Sequence, residues 1–180
     1  MKEIISYIKS DYIRYYKQFG GGKFILHTIY HALTCHNHCY AYNIWFRLSK
    51  KKNILYPIAR LMHYRLTRKY GIQIPIRTKV GYGLYIGHGV GIIINGNTVI
   101  GNNCNISQFL TIGSNHGTPA IIGDNVYIGP SVCLVENVHI GNNVTIGAGS
   151  VVTKDIPDDA TVAGVPAKIL HFDNPGRYTK

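Results

Sequence analysis

Residues 122–152 read IGDNVY-IGPSVC-LVENVH-IGNNVT-IGAGSV-V, so that an aliphatic residue returns at every sixth position. The same spacing recurs upstream, and eight of the twelve aliphatic residues are followed directly by glycine. They are Val80 and Ile86; Ile94, Ile100, Ile106 and Ile112; and Ile122, Ile128, Leu134, Ile140, Ile146 and Val152. A period of six matches neither a strand nor a helix. It predicts a mainly β fold, a parallel β-helix whose triangular coils each hold about eighteen residues.

The first seventy residues have a helical spacing instead. We expect one helix over Lys2–Phe19 that ends at the glycines 20–22, a second over 23–48 and a third over 55–69 that ends at Gly71. The predicted organisation is therefore a basic helical region over 1–70, a β-helix domain over 71–165 and a C-terminal tail over 166–180.

Charge is distributed unevenly along the chain. Residues 1–80 hold fifteen Lys or Arg against two acids, whereas residues 81–180 hold four against six. The basic half predicts either a solvated helical surface or contact with an anionic partner, such as a membrane or a phosphate-bearing substrate. We expect no nucleic acid, because no recognition module accompanies the charge.

The N-terminal sequence and the cysteines bear on localisation. No secretory signal or long apolar run is evident, and the four cysteines can be free thiols: Cys35, Cys39, Cys104 and Cys133. We therefore expect a cytoplasmic protein, with the inner face of the cell membrane as a location that the basic region would favour.

The sixfold phase breaks twice, and both breaks contain a histidine. Two surplus residues fall between Ile86 and Ile94, around His88, and four fall between Ile112 and Ile122, around His116. In repeat proteins such insertions bulge outward and often carry function. A positioned histidine can activate a hydroxyl nucleophile near neutral pH.

Three motifs resemble the hexapeptide-repeat acyltransferases. IGNNVTIGAGSVVTKDIP at 140–157 and AGVPAKI at 163–169 are similar to the end of that superfamily's domain. GIQIP at 71–75 and GLYIGHGVGIIIN at 83–95 resemble its serine acetyltransferase branch. Within that branch, the enzymes that O-acetylate capsular and other surface polysaccharides look most similar.

The resemblance implies a left-handed β-helix that forms a homotrimer, uses acetyl-CoA as cosubstrate and needs no metal. His88 falls on the catalytic base. The acceptor pocket would include Gln73, Gly87, Asn95 and His116. The residues implied in cofactor binding are Gly113, Gly129, Pro130, Gly147, Ala148 and Lys168.

Two departures from the family pattern bear on the acceptor. Serine acetyltransferases have an aspartate where this chain has Gly87 and another where it has Gln73. Their loss favours an uncharged sugar hydroxyl in polysaccharide biosynthesis, and we expect the saccharide to be carried on a lipid pyrophosphate. The alternatives are a serine O-acetyltransferase of cysteine biosynthesis, or a metal-dependent hydratase or non-catalytic scaffold, for which the β-helix offers His88, His116 and His139.

A cluster in the second predicted helix leaves a metal open as an alternative. Its members would share one face of a continuous helix: His27, His31, Cys35, His38 and Cys39. Histidine and cysteine are ligands that Zn²⁺ prefers. Packing between helices is the simpler interpretation, because buried cysteines behave as small apolar residues.

Overall fold

A computed structural model describes residues 1–17 and 21–179. The helices are α1 (Lys2–Tyr16), α2 (Gly21–Thr34), α3 (His38–Leu48) and α4 (Tyr56–Tyr70). The strands are β1 (Lys79–Val80), β2 (Tyr85–Gly87), β3 (Ile93–Ile94), β4 (Val99–Ile100), β5 (Asn105–Ser107), β6 (Thr111–Ile112), β7 (Ile121–Ile122), β8 (Tyr127–Ile128), β9 (Cys133–Leu134), β10 (His139–Ile140), β11 (Thr145–Ile146), β12 (Val151–Val152), β13 (Thr161–Ala163) and β14 (Lys168–His171).

The strands form three parallel sheets that the chain visits in turn. The first sheet is β1-β4-β7-β10, the second is β2-β5-β8-β11-β13 with β14 antiparallel at its end, and the third is β3-β6-β9-β12. The periodic aliphatic residues pair across neighbouring coils, as Ile106 does with Ile128, and they are buried in the core. The predicted fold class, a left-handed parallel β-helix behind N-terminal helices, is confirmed.

The β-helix continues beyond the last periodic position found in the sequence. Ile156 bridges to Ile140, and Val162 pairs with Ile146. Only three residues lie between Val152 and Ile156, where the sixfold period has five, so this corner is shortened and the count is lost. Residues 166–179 then fold back onto the second sheet, where Asn105 donates a side-chain hydrogen bond to the Tyr178 carbonyl (2.7 Å).

Two helix predictions are corrected. The stretch 23–48 is not one helix, because Cys35 has a left-handed backbone (φ 54°) and Asn37 caps α3 by accepting the Tyr40 N–H. The glycines at 21 and 22 begin α2, whereas Gly20 lies outside the described residues. The third prediction is confirmed, since Gly71 caps α4 in the left-handed conformation.

A buried ion pair joins the helices to the first coil. Arg47 in α3 makes two hydrogen bonds to Asp11 in α1 (2.9 and 3.0 Å), and it also donates to the carbonyls of Val80 and Gly81. Burial raises the pKa of Asp11, while Arg47 and the N–H of Leu84 act in the opposite direction by stabilising the carboxylate. The helical region is thereby fixed to the β-helix.

Asparagines occupy the corner between the first and second sheets. Asn103, Asn125 and Asn143 have a left-handed backbone there, with φ angles of 54°, 56° and 57°. Asn102 and Asn142 instead use their side chains to join coils, since Asn142 accepts the Asp124 N–H (2.9 Å).

Among the described helices, none is long and apolar enough to cross a membrane.

Candidate active site

His88 lies at the corner where the chain passes from the second sheet to the third. Its side chain is exposed and its backbone is left-handed (φ 52°). The Val90 N–H donates to the His88 carbonyl (2.8 Å), and the Gly91 N–H donates to the Tyr70 carbonyl (3.2 Å). The bulge predicted from the broken phase is therefore a tight turn that presents an imidazole outward.

Cys39 of α3 supports this turn from below. The Gly89 N–H donates to the Cys39 sulfur (3.2 Å), and burial raises the pKa of that thiol, which favours the protonated form. A Cβ on Gly89 would lie 2.8 Å from Ile72 Cδ1 and 3.0 Å from the Cys39 sulfur. A side chain at residue 89 would therefore require Ile72 and Cys39 to shift. Sequence reasoning missed this role, because the cysteine is fifty residues away.

The three sheets form a triangular prism, and its edges are the corners where the chain passes from one sheet to the next. Most of the residues implied in cofactor binding lie along the edge that carries His88. Gly129-Pro130 and Gly147-Ala148 turn the same corner in later coils, as the hydrogen bonds from Gly129 to Ile146 and from Gly149 to Pro130 show. Lys168 pairs with Ala163 at the far end of the second sheet. Coils stack about 4.8 Å apart, so His88 and Gly147 lie ~14 Å apart along this edge, with the exposed Phe109 in the coil between His88 and Gly129. That shape suits a long, thin ligand.

The second insertion forms a loop at another corner, between the third and first sheets. The Glu136 carboxylate accepts the N–H groups of Asn115 (2.7 Å), His116 (2.9 Å) and Gly117 (2.9 Å). These donors lower the pKa of Glu136 to about 2. Glu136 therefore sets the shape of the loop that exposes His116. The signal of this role in the sequence is a glutamate followed by asparagine at 136–137, in the coil after the insertion.

Two of the remaining candidate residues lie at another corner, whereas Gly87 directly precedes His88. Asn95 and Gly113 belong to the corner of His116, and an added Cβ on Gly113 would meet nothing within 4 Å. Gln73 bridges to Ile93 beside the third sheet, and its side chain is exposed. In the part of the chain that the structure describes, no hydrogen bond joins Gln73 to His88. Gly87 pairs with Ser107 next to the turn.

The histidine and cysteine cluster does not assemble as a metal site. Because the helix breaks at Cys35, His38 stacks on Tyr70 (4.4 Å between ring centroids) and Cys39 supports the turn of His88. His27 and His31 contact each other (3.1 Å), and burial lowers the pKa of His31 to about 4. Over residues 1–17 and 21–179, no group of three or more potential ligands could hold a metal ion.

Comparison with known proteins identifies the class. A family model described as "Bacterial transferase hexapeptide (six repeats)" matches residues 119–154. The crystal structure of Neisseria gonorrhoeae serine acetyltransferase in complex with serine is 30% identical, with a TM-score of 0.68 over 93% of this chain and 69% of that one. The chain belongs to the hexapeptide-repeat acyltransferases.

Within that class, the similarity is to serine acetyltransferases. The enzyme of Synechococcus elongatus is 38% identical over 96 residues, which are 49% of this chain and 38% of that protein. The mitochondrial serine acetyltransferase 3 of Arabidopsis thaliana is 32% identical over 153 residues, 82% of this chain and 38% of that protein. Soybean serine acetyltransferase complexed with serine is 26% identical, with a TM-score of 0.71 over 94% of this chain and 70% of that one. The chain thus spans 38% of the length of the Synechococcus and Arabidopsis enzymes.

These similarities correct the expected acceptor. The predicted similarity to polysaccharide O-acetyltransferases, and with it the saccharide acceptor, is wrong, because the similar proteins are serine acetyltransferases. The error came from treating the missing aspartates at positions 73 and 87 as evidence for another substrate. The absence of two side chains removes contacts, but it does not define a new ligand.

Proposed function

We propose that this chain is an acetyl-CoA-dependent serine O-acetyltransferase with His88 as its general base. The observation that supports this most is the outward turn of His88 at one end of an edge lined by Gly129, Pro130, Gly147 and Ala148. The similarity to serine acetyltransferases, two of them with bound serine, supports the choice of acceptor.

In the proposed reaction, the edge of small residues holds acetyl-CoA with its thioester near His88. The imidazole accepts the proton of the serine hydroxyl while that oxygen attacks the thioester carbonyl carbon. A bond from serine oxygen to the acetyl carbon forms, and the carbon–sulfur bond breaks. The proton held by His88 passes to the departing sulfur, which leaves O-acetylserine and free coenzyme A.

The two missing aspartates change which groups can bind serine and stabilise the protonated base. Gly87 offers no carboxylate beside the base, and Gln73 can hydrogen-bond an imidazole without neutralising its positive charge. The ammonium group of serine must therefore be held by other groups. The serine acetyltransferase pattern is retained at His88 itself.

We also propose a homotrimer with shared sites. Within one chain, His88 and His116 lie at different corners of the prism. If both line the acceptor pocket, each must come from a different copy, and a threefold arrangement brings unlike corners together at each interface.

Release of free thiol from acetyl-CoA tests the function. We expect turnover with L-serine and none above background with L-alanine, which lacks only the hydroxyl. His88→Ala should lower turnover by at least about a hundredfold, the low end for loss of a general base. Affinity for coenzyme A should remain, because the proposed cofactor contacts lie in later coils.

The matched control is His139→Ala, which removes an exposed histidine from the first sheet and should leave turnover unchanged. Equal thiol release with L-serine and L-alanine would refute the acceptor. Near-normal turnover by His88→Ala would refute the role of that residue.

A further inference from the structure

An apolar groove of about 660 Å³ runs between the N-terminal helices, remote from the edge of His88. Side chains of α1, α2 and α3 line it, together with Leu55. Among the described lining residues, Lys9 and Thr28 are the only polar ones. We refer to this groove, together with the outer surface of α2 and residues 54–55, as the helical apolar face.

The helical apolar face exposes more aliphatic surface than packing within one chain explains. Leu26 is 72% exposed, Leu33 73% and Ile54 90%. The described sequence of α2 contains no acid, and Lys23 is its only lysine or arginine. Soluble proteins rarely leave contiguous apolar patches uncovered, and such patches mark sites of association.

The fixed charge of the helical region is almost entirely positive. No Asp or Glu occurs between Asp11 and Asp124, a span that contains thirteen Lys or Arg. Of the two acids that precede it, Asp11 is buried against Arg47, and Glu3 pairs with Lys51. The helical region therefore combines an exposed aliphatic surface with a large excess of basic residues.

We propose that the helical apolar face docks onto the interface of an anionic lipid bilayer. Leucine and isoleucine side chains of α2 and residues 54–55 would enter the acyl boundary, while lysines and arginines contact lipid phosphates. A second copy of the chain is the less suitable occupant, because it would bring the same positive charge to the contact. The proposal does not depend on the acetyl acceptor.

Sedimentation with sucrose-loaded vesicles tests the proposal on the full chain. We expect binding to vesicles of phosphatidylcholine mixed with phosphatidylglycerol, little binding to phosphatidylcholine alone, and weaker binding as salt rises. The double variant Leu26→Asp/Leu33→Asp should bind the anionic vesicles at least about tenfold more weakly, since it removes two inserted side chains. Both positions are largely exposed, so the fold should persist, which circular dichroism checks.

The matched control is Leu170→Asp, at a 60% exposed leucine of β14 outside the helical region, and its vesicle binding should equal that of the native chain. Three results would overturn the proposal. They are no binding of the native chain to anionic vesicles, equal binding by the double variant, or a double variant that light scattering shows to be a smaller assembly. The last result would assign the face to a second copy. Thiol release measured without vesicles should be unchanged in the double variant, so failure of docking is distinguishable from failure of the proposed enzyme function.

Discussion

At the scale of the residue, one carboxylate determines the shape of a functional loop. Glu136 lies in the corner of the next coil, yet it accepts three consecutive N–H groups from residues 115–117 and a hydrogen bond from the Ser114 hydroxyl. Hydrogen bonds to a charged acceptor are stronger than those between neutral groups. The orientation of His116 therefore depends on a residue with no proposed part in the chemistry.

The depressed pKa of Glu136 predicts how the loop responds to pH. Its value of about 2 in the folded chain lies below the ordinary 4.5, so its stabilisation is fully present above pH 4.5. It is lost as the pH falls from 4.5 through 2. Hydrogen exchange at the amides of residues 115–117, corrected for intrinsic rates, should show protection declining over that window.

Glu136→Gln provides the test at neutral pH, where it should lower the protection of these amides. The control is Asp155→Asn, which alters an exposed carboxylate that accepts one N–H, from His139. Equal protection in the Glu136→Gln variant and the native chain at pH 7 would show that the carboxylate does not hold the loop.

At the scale of the element, α3 connects the helices to the catalytic edge. Its Arg47 joins Asp11 of α1 to carbonyls at the end of β1, and its Cys39 supports the turn of His88. Two contacts of one helix thus link the basic region to the first coil. Disturbing α3 should alter both stability and the site.

Arg47→Met should destabilise the fold strongly because it leaves Asp11 buried without its partner. Removing one member of a buried pair costs about 3–5 kcal/mol in the free energy of unfolding. The double variant Asp11→Asn/Arg47→Met should recover most of that loss, since no unpaired charge remains and the asparagine oxygen can still accept the Leu84 N–H. Urea denaturation measures both.

Arg65→Met is the matched control, because Arg65 is exposed on α4. Similar midpoints for the Arg47 and Arg65 variants would contradict the structural role of the buried pair. A double variant as unstable as Arg47→Met would show that lost packing, rather than the stranded charge, accounts for the effect.

At the scale of the whole molecule, the proposed trimer follows from the separation of the two histidine corners. Light scattering should give a mass of about 60 kDa, three times the 20.1-kDa chain. If His88→Ala and His116→Ala are each inactive, trimers reassembled from an equal mixture should regain about a quarter of native turnover, the share of interfaces that combine two intact histidines. A fully active 20-kDa species would exclude shared sites.

The sequence alone determined the β-helix and the position of the candidate base. A sixfold repeat places one inward side chain on each side of the coil, so the repeat can be recognised from the sequence without a structure. His88 was found for the same reason, because an insertion is visible as a break in a regular count. The sixfold spacing did not predict Ile156, because the corner before it is short. The prediction of one helix over 23–48 was wrong at Cys35, because no residue pattern indicates its left-handed backbone.

Only the tertiary structure decided which distant residues support the site. Cys39 reaches Gly89, Glu136 reaches the loop of His116, and Asp11 meets Arg47 across gaps of at least twenty residues. Each contact arises because stacked coils and packed helices bring together positions with no fixed spacing in the chain. A repeat specifies its own neighbours through its period, whereas a contact between unlike elements depends on how those elements pack, and packing is a property of the folded whole.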